Sequence, residues 1–183
     1  PIDGSDAKAF DDAVSLEPAG SGRWRLGVHI ADVSYYVRPG GALDREAYRR
    51  ATSVYLPDRV VPMLPPALSD HLCSLMPGVV RLTLSTFITV DETGRVLATE
   101  EAETAIRSGR RFTYEEVEDI LRGRPVGNVT PEVRRTVEGL GRLQKAFTHE
   151  RLRRGALDFD MPEFKVLTDA NGVRSEEHTS ELQ

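Results

Sequence analysis

The stretch Pro1-Ile2-Asp3-Gly4-Ser5-Asp6-Ala7-Lys8-Ala9-Phe10-Asp11-Asp12-Ala13-Val14 decides how the rest of the chain is read. Four carboxylates, Asp3, Asp6, Asp11 and Asp12, fall within ten residues, broken by a Gly-Ser turn and followed directly by apolar residues. Like charges that close are either kept apart by water and flexibility or held by a divalent cation, since hard cations such as Mg²⁺ take oxygen ligands. If the chain is extended, adjacent Asp11 and Asp12 point to opposite faces. One can then bind a metal while the other serves a second metal or a water. A solvated acidic run is the ordinary alternative; against it stand Ile2, Phe10, Ala13 and Val14, which call for burial. An EF-hand is excluded by spacing: with Asp3 as first ligand, the sixth position is Lys8 and the twelfth is Val14. On chemistry alone, a metal-binding loop and a solvated run both stay open.

Working outward, Ala13–Glu17 and Trp24–Asp32 read as strands joined by a turn at residues 18–22. The second strand alternates Trp24, Leu26, Val28 and Ile30 with Arg25, Gly27, His29 and Ala31. His29 and Asp32 fall on opposite strand faces, which favours structural hydrogen bonding over a metal pair. Leu43–Arg50 reads as a short helix after Pro39-Gly40-Gly41, residues 57–66 as an extended proline-rich loop, and Ala67–Leu75 as a short helix. Arg81–Val90, the turn at Asp91–Gly94 and a strand from Arg95 make a hairpin. Thr113 and Glu116 form a capping box for a helix closed by Gly123. Thr130-Pro131 opens a longer helix with Val133, Val137, Leu140, Leu143, Phe147 and Leu152 at helical spacing. Its outer face carries Arg134, Arg135, Lys145, Arg151, Arg153 and Arg154, either a phosphate-facing surface or, more commonly, a solvated one. A turn at residues 155–160, a strand at 164–168 and a turn at 169–172 follow. Hairpins and helices without regular β-α alternation imply an α+β fold, a mixed or antiparallel sheet with surrounding helices.

The bulk properties narrow the class. With 39% hydrophobic and 29% charged residues in 183, the chain suits one globular domain or a large piece of one. No apolar run is long enough to span a membrane and no signal peptide is recognisable, so the default compartment is the cytoplasm. The lone Cys73 excludes an internal disulfide framework, and its apolar setting implies an inert buried thiol. Four scattered His and one Cys offer no zinc pattern. A net charge of −5 is unexpected for a nucleic-acid binder. The last ten residues, RSEEHTSELQ, resemble the translation of a common sequencing adapter and carry one Arg and three Glu. Setting 174–183 apart as a non-native tail leaves −3 on residues 1–173. With a start at Pro1 inside the acidic motif, this marks the sequence as a fragment.

The run IDGSDAKAFDDAV resembles the acidic motif of the ribonuclease II and ribonuclease R family, whose catalytic domain opens with a pattern close to T-I-D-x-x-D-A-K-D-F-D-D-A. The likeness continues through HIADVSYYV (29–37), ALDREAYRRATSVYLPDRVVPMLPPALSDHLCSL (42–75), RRFTYEEV (110–117) and RGALDFDMPEFKV (154–166). It implies the N-terminal part of an RNB-type catalytic domain, and hydrolysis of RNA from its 3′ end to nucleoside 5′-monophosphates with Mg²⁺. Asp3, Asp11 and Asp12 are the implied catalytic and metal residues, with Asp3 and Asp12 holding the ion. Tyr55 is the implied stacking platform for bases of a single-stranded 3′ end, a contact tolerant of every base. Tyr114 is implied to lie in the RNA channel, though its place beside a helix cap fits packing equally. The flanking RNA-binding domains of the family are absent here. Two departures stand out. The family's fourth acidic position falls on Ala9, where a ligand or water-orienting group is lost, and Ala51 stands where the family has Gly. The expectation is therefore an exoribonuclease or, alternatively, a catalytically impaired RNA-binding relative; an acidic metal-binding domain with no RNA role is the remaining rival.

Overall fold

A computed structural model describes residues 1–56 and 59–157, together with the strands at 163–168 and 174–179. At its centre is an antiparallel sheet of four strands in the order β2-β3-β6-β7: β2 (Asp12–Pro18), β3 (Arg23–Ala31), β6 (Val80–Asp91) and β7 (Val96–Arg107). Both hairpins form where the turn chemistry places them. At the second, Asp91 Oδ1 accepts from the N–H groups of Thr93 and Arg95, and Gly94 follows with φ +84°. Two further strands, β1 (Ile2–Asp3) and β8 (Phe112–Thr113), pair in parallel. The short β4 (Val54–Tyr55) and β5 (Val60–Val61) form an antiparallel ribbon, and β9 (Glu163–Thr168) pairs with β10 (Arg174–Thr179). Thus the mixed helix and antiparallel-sheet architecture of an α+β fold is present, and β10 lies in the segment set apart as a tail.

Helices α1 (Val33–Tyr36) and α2 (Ala42–Arg50) follow β3, and α3 (Tyr114–Leu121) and α4 (Pro131–Arg153) follow β8. The capping box is complete: Glu116 N–H donates to Thr113 Oγ1 and Thr113 N–H to Glu116 Oε2. α4 runs against β2 and α3 at two glycines. A Cβ on Gly139 would lie 2.7 Å from Leu16 Cδ2, and one on Gly141 would collide with Leu121. Small residues here let the backbones approach. The basic end of α4 is partly self-paired, since Arg153 and Arg154 both contact Glu150.

Two expectations are corrected. The helix at 67–75 stops at Leu72 with a wide turn, Cys73 N–H donating to Leu68 O, because the next residues turn to meet the acidic loop. The proline-rich loop contains β5; its residues 57 and 58 lie outside the described residues. So do 158–160 of the turn at 155–160 and all of the turn at 169–172.

The sheet is packed on both faces: α4 meets Leu16, the cross-strand partner of Leu26, at Gly139, and the face opposite the apolar stripe is buried as well. Gly27, His29 and Ala31 of β3 and Thr83 and Ser85 of β6 are buried, whereas Ile30 is 48% and Leu84 51% exposed. The polar face is tolerated inside because its groups satisfy one another. His29 Nε2 lies 2.9 Å from Ser15 Oγ and its Nδ1 2.7 Å from Ser85 Oγ, and Ser85 and Thr83 both bond Thr104. Burial, with Arg25 adding repulsion, pushes the His29 pKa down, as suits a neutral ring. Asp32, in turn, caps α1 by accepting from Tyr35 N–H. Both residues are structural.

Candidate active site

The acidic loop is strung between two hydrophobic clusters. On its first arm, Ile2 packs into the cluster of Phe112, Ile120 and Val137. Phe112 N–H donates to Pro1 O at 3.0 Å, and Asp3 is held opposite Thr113. On its second arm, Phe10 is only 8% exposed and packs with Ala13, Ala31, Leu68, Cys73 and Leu75. The backbone of Phe10 is fixed from both sides: its N–H donates to the buried Ser74 Oγ at 3.1 Å, and its carbonyl accepts from Leu75 N–H at 2.8 Å. Asp11 O accepts from Ala31 N–H, and Asp12 starts β2 opposite Ile30. Between the arms, Ala7 N–H closes a turn onto Gly4 O at 3.1 Å. One aromatic residue in an acidic run is thus what turns a charge run into a fixed loop.

The electrostatics reflect that closure. Burial, and then the Asp12 carboxylate, raise the pKa of Asp3; the Pro1 ammonium and Arg111 oppose the rise. Burial, then Asp12 and Asp70, raise that of Asp11. Asp3 Oδ2 is buried with no hydrogen-bond partner. A buried carboxylate oxygen lacking a donor, next to other carboxylates, fits a hard divalent cation as its missing partner. The fit is of the open kind. Among the described residues no three His, Cys, Asp or Glu side chains converge on a point, and Mg²⁺ characteristically takes one or two carboxylates plus waters and phosphate oxygens. Asp3 and Asp12 stand at the two ends of the loop. Ala9 contributes no oxygen to the set.

Tyr114 adjoins this loop: its Cε2 lies 4.0 Å from where a Cβ on Gly4 would sit, a position set by the α3 cap. Tyr55 stands apart on the β4–β5 ribbon, 79% exposed. The structure therefore brings Asp3, Asp11, Asp12 and Tyr114 to one mouth and presents Tyr55 on a separate ribbon. Sequence reasoning missed Arg111, whose Nη2 donates to Gly4 O and whose Cζ lies 5.2 Å from the Phe10 ring centroid. It also missed Asp70, which faces Asp11 closely enough to raise its pKa. Nothing in the Arg110-Arg111 pair distinguished the second from the first, which is committed to Glu116 and the Gly127 carbonyl.

A parallel strand pair and an antiparallel sheet pin an acidic loop between them and gather its carboxylate oxygens at one mouth. The chain belongs to the RNB domain family, whose pattern it matches over residues 1–182. It is 44% identical over 172 residues to Ribonuclease R of Thermotoga maritima, covering 93% of this chain and 24% of that protein. It is also 45% identical over 170 residues to Ribonuclease R of Escherichia coli K12, covering 92% of this chain and 21% of that one. The solved RNase R of Mycoplasma genitalium, in complex with ribose-methylated single-stranded RNA, superposes with a TM-score of 0.91 at 30% identity over 97% of this chain and 28% of that one. The chain thus spans about a quarter or less of the length of the curated relatives it matches. No described helix is long and apolar enough to cross a membrane.

Proposed function

We propose that the protein containing this chain is a 3′-to-5′ exoribonuclease that degrades RNA to nucleoside 5′-monophosphates with Mg²⁺ at the acidic loop. The observation that carries this reading is the orphaned buried oxygen of Asp3 beside Asp11 and Asp12 on a pinned loop. Similarity to the ribonucleases R supports it. Asp3 and Asp12 would hold the ion, which when bound neutralises phosphate charge and acidifies a water. Asp11, raised in pKa by burial and its neighbours, accepts a proton from or orients the attacking water. Phe10 and β1 hold these carboxylates in place before substrate arrives. Tyr55 offers an exposed aromatic face on which terminal bases stack regardless of identity. Tyr114, beside Gly4, borders the path to the carboxylates.

A second reading, a catalytically impaired RNA-binding relative, is favoured by one observation: Ala9. The test is degradation of a 5′-labelled oligo(A) by the full-length protein with and without Mg²⁺, comparing Ala9 with Ala9→Asp. Shortening from the 3′ end by both means that three carboxylates suffice. Activity only in Ala9→Asp identifies an impaired enzyme, and inactivity of both with RNA binding intact overturns the nuclease reading.

A further inference from the structure

We infer that Arg111 is a positioning residue that clamps the two arms of the acidic loop together and so keeps Asp3 open to a cation. Arg111 immediately precedes β8, whose Phe112 belongs to the first cluster. Its guanidinium reaches across to the second arm, over the face of Phe10, and at the same time donates through Nη2 to the Gly4 carbonyl. One side chain therefore reaches both the end of the first arm and the ring that anchors the second, and the residues between them, Ser5 to Ala9, are spanned by it.

The pairing that does not form is as informative. Arg111 is close enough to Asp3 to oppose the rise of its pKa, yet Asp3 Oδ2 and Arg111 Nε are both buried without a hydrogen-bond partner. An arginine ion-paired to Asp3 would occupy the oxygen that a metal needs. Here its donors go to a backbone carbonyl and its plane to a ring, so the charge stands near while the ligand oxygen stays free. A lysine lacks both the fork and the planar face.

For its metal component the inference rests on the nuclease reading; for loop closure it does not. In the full-length protein, Mn²⁺ affinity would be measured by the loss of the free-ion electron paramagnetic resonance signal. Hydrogen exchange of residues 4–12 would be followed without metal, for wild type, Arg111→Lys and Arg111→Met. The clamp predicts that Arg111→Met binds Mn²⁺ about 10-fold or more weakly and exchanges residues 4–12 faster, with Arg111→Lys in between on both readouts. A purely electrostatic Arg111 predicts the opposite sign for metal, since removing a neighbouring cation tightens Mn²⁺ binding; that outcome overturns the inference. If Arg111→Met does not fold, wild-type affinity and protection in Arg111→Lys overturn it equally. A wild type that binds no Mn²⁺ sinks the metal-site reading, and the exchange of residues 4–12 then decides the clamp alone.

Discussion

The acidic loop and the β4–β5 ribbon carry the two kinds of group the proposed chemistry needs, and they are built in opposite ways. The loop is short of regular structure but fixed at every point that matters: Ile2 in one cluster, Phe10 in another, and backbone bonds from Phe10 to Ser74 and Leu75. The ribbon is regular but nearly unburied, with Val54, Tyr55, Val60 and Val61 all exposed and two residue pairs in its ladder. Carboxylates that share a cation must be held within fractions of an ångström. A stacking platform needs only area and reach, so exposure is its working state. The molecule has placed its packing where the geometry is strict.

That contrast breaks most visibly by truncating one aromatic from each region. Phe10→Ala empties a buried site and is expected to cost about 3–5 kcal/mol of stability, with hydrolysis lost as the loop detaches. Tyr55→Ala is expected to leave stability within about 0.5 kcal/mol while weakening RNA binding by about 1–3 kcal/mol. Denaturant melts and oligonucleotide titrations of both variants in the full-length protein read the difference. Equal destabilisation by the two substitutions would show that the ribbon is packed after all.

The next effect is smaller and depends on pH. Asp3 and Asp11 titrate above the usual carboxylate value of 3.8, burial being the first cause for each. A group raised on folding contributes stability that is complete below its unfolded pKa and disappears as pH rises through its folded one. In chelator, these two carboxylates should therefore lower the melting temperature as pH climbs through that window. The cation competes with the proton, so the gain in melting temperature on adding Mg²⁺ should grow over the same interval. A gain that is flat with pH would separate Asp3 and Asp11 from the metal. Asp70→Asn removes one of the charges raising the Asp11 pKa, and should move the window slightly down in pH.

Much of the scaffold was legible in the sequence because its signals are local. The Asp91–Gly94 turn, the Thr113–Glu116 capping box and the Thr130-Pro131 helix start each depend on residues within four positions, and each formed as written. The polar packing of the second sheet face was not legible. Trp24, Leu26 and Val28 of the apolar stripe are half-buried on the side of α4, and the Phe10 cluster covers the opposite side as well, where Ala13 and Ala31 are small enough to admit it. Hydroxyls from the two neighbouring strands, Ser15 and Ser85, satisfy His29 there, a match between residues up to 56 positions apart that no window reveals. The site was half legible. The carboxylates announced themselves by crowding, but what fixes them, Ser74, Leu75 and Arg111, lies 64 to 107 residues away in sequence.

The ribbon offers the finest test, because the turn that delivers the chain to it carries a visible strain. Ala51, the C-cap of α2, sits at φ +65°, ψ −36°, and Thr52 N–H bonds back to Arg50 O at 2.8 Å. This is a three-residue γ-turn of the rare positive-φ kind, a conformation that a Cβ disfavours. Glycine adopts it freely. Releasing the strain is worth about 1–3 kcal/mol, and the extra freedom of glycine in the unfolded chain takes back about 0.5–1 kcal/mol. Ala51→Gly should therefore stabilise the protein by about 1 kcal/mol, measured as a higher denaturant midpoint at constant slope. Tyr55 lies four residues on, beyond the Ser53 Oγ that accepts from Met63 N–H, so relieving the turn should leave RNA affinity untouched. If affinity moves with stability, the ribbon is aimed by the strained turn, and its freedom to reach is less than its exposure implies.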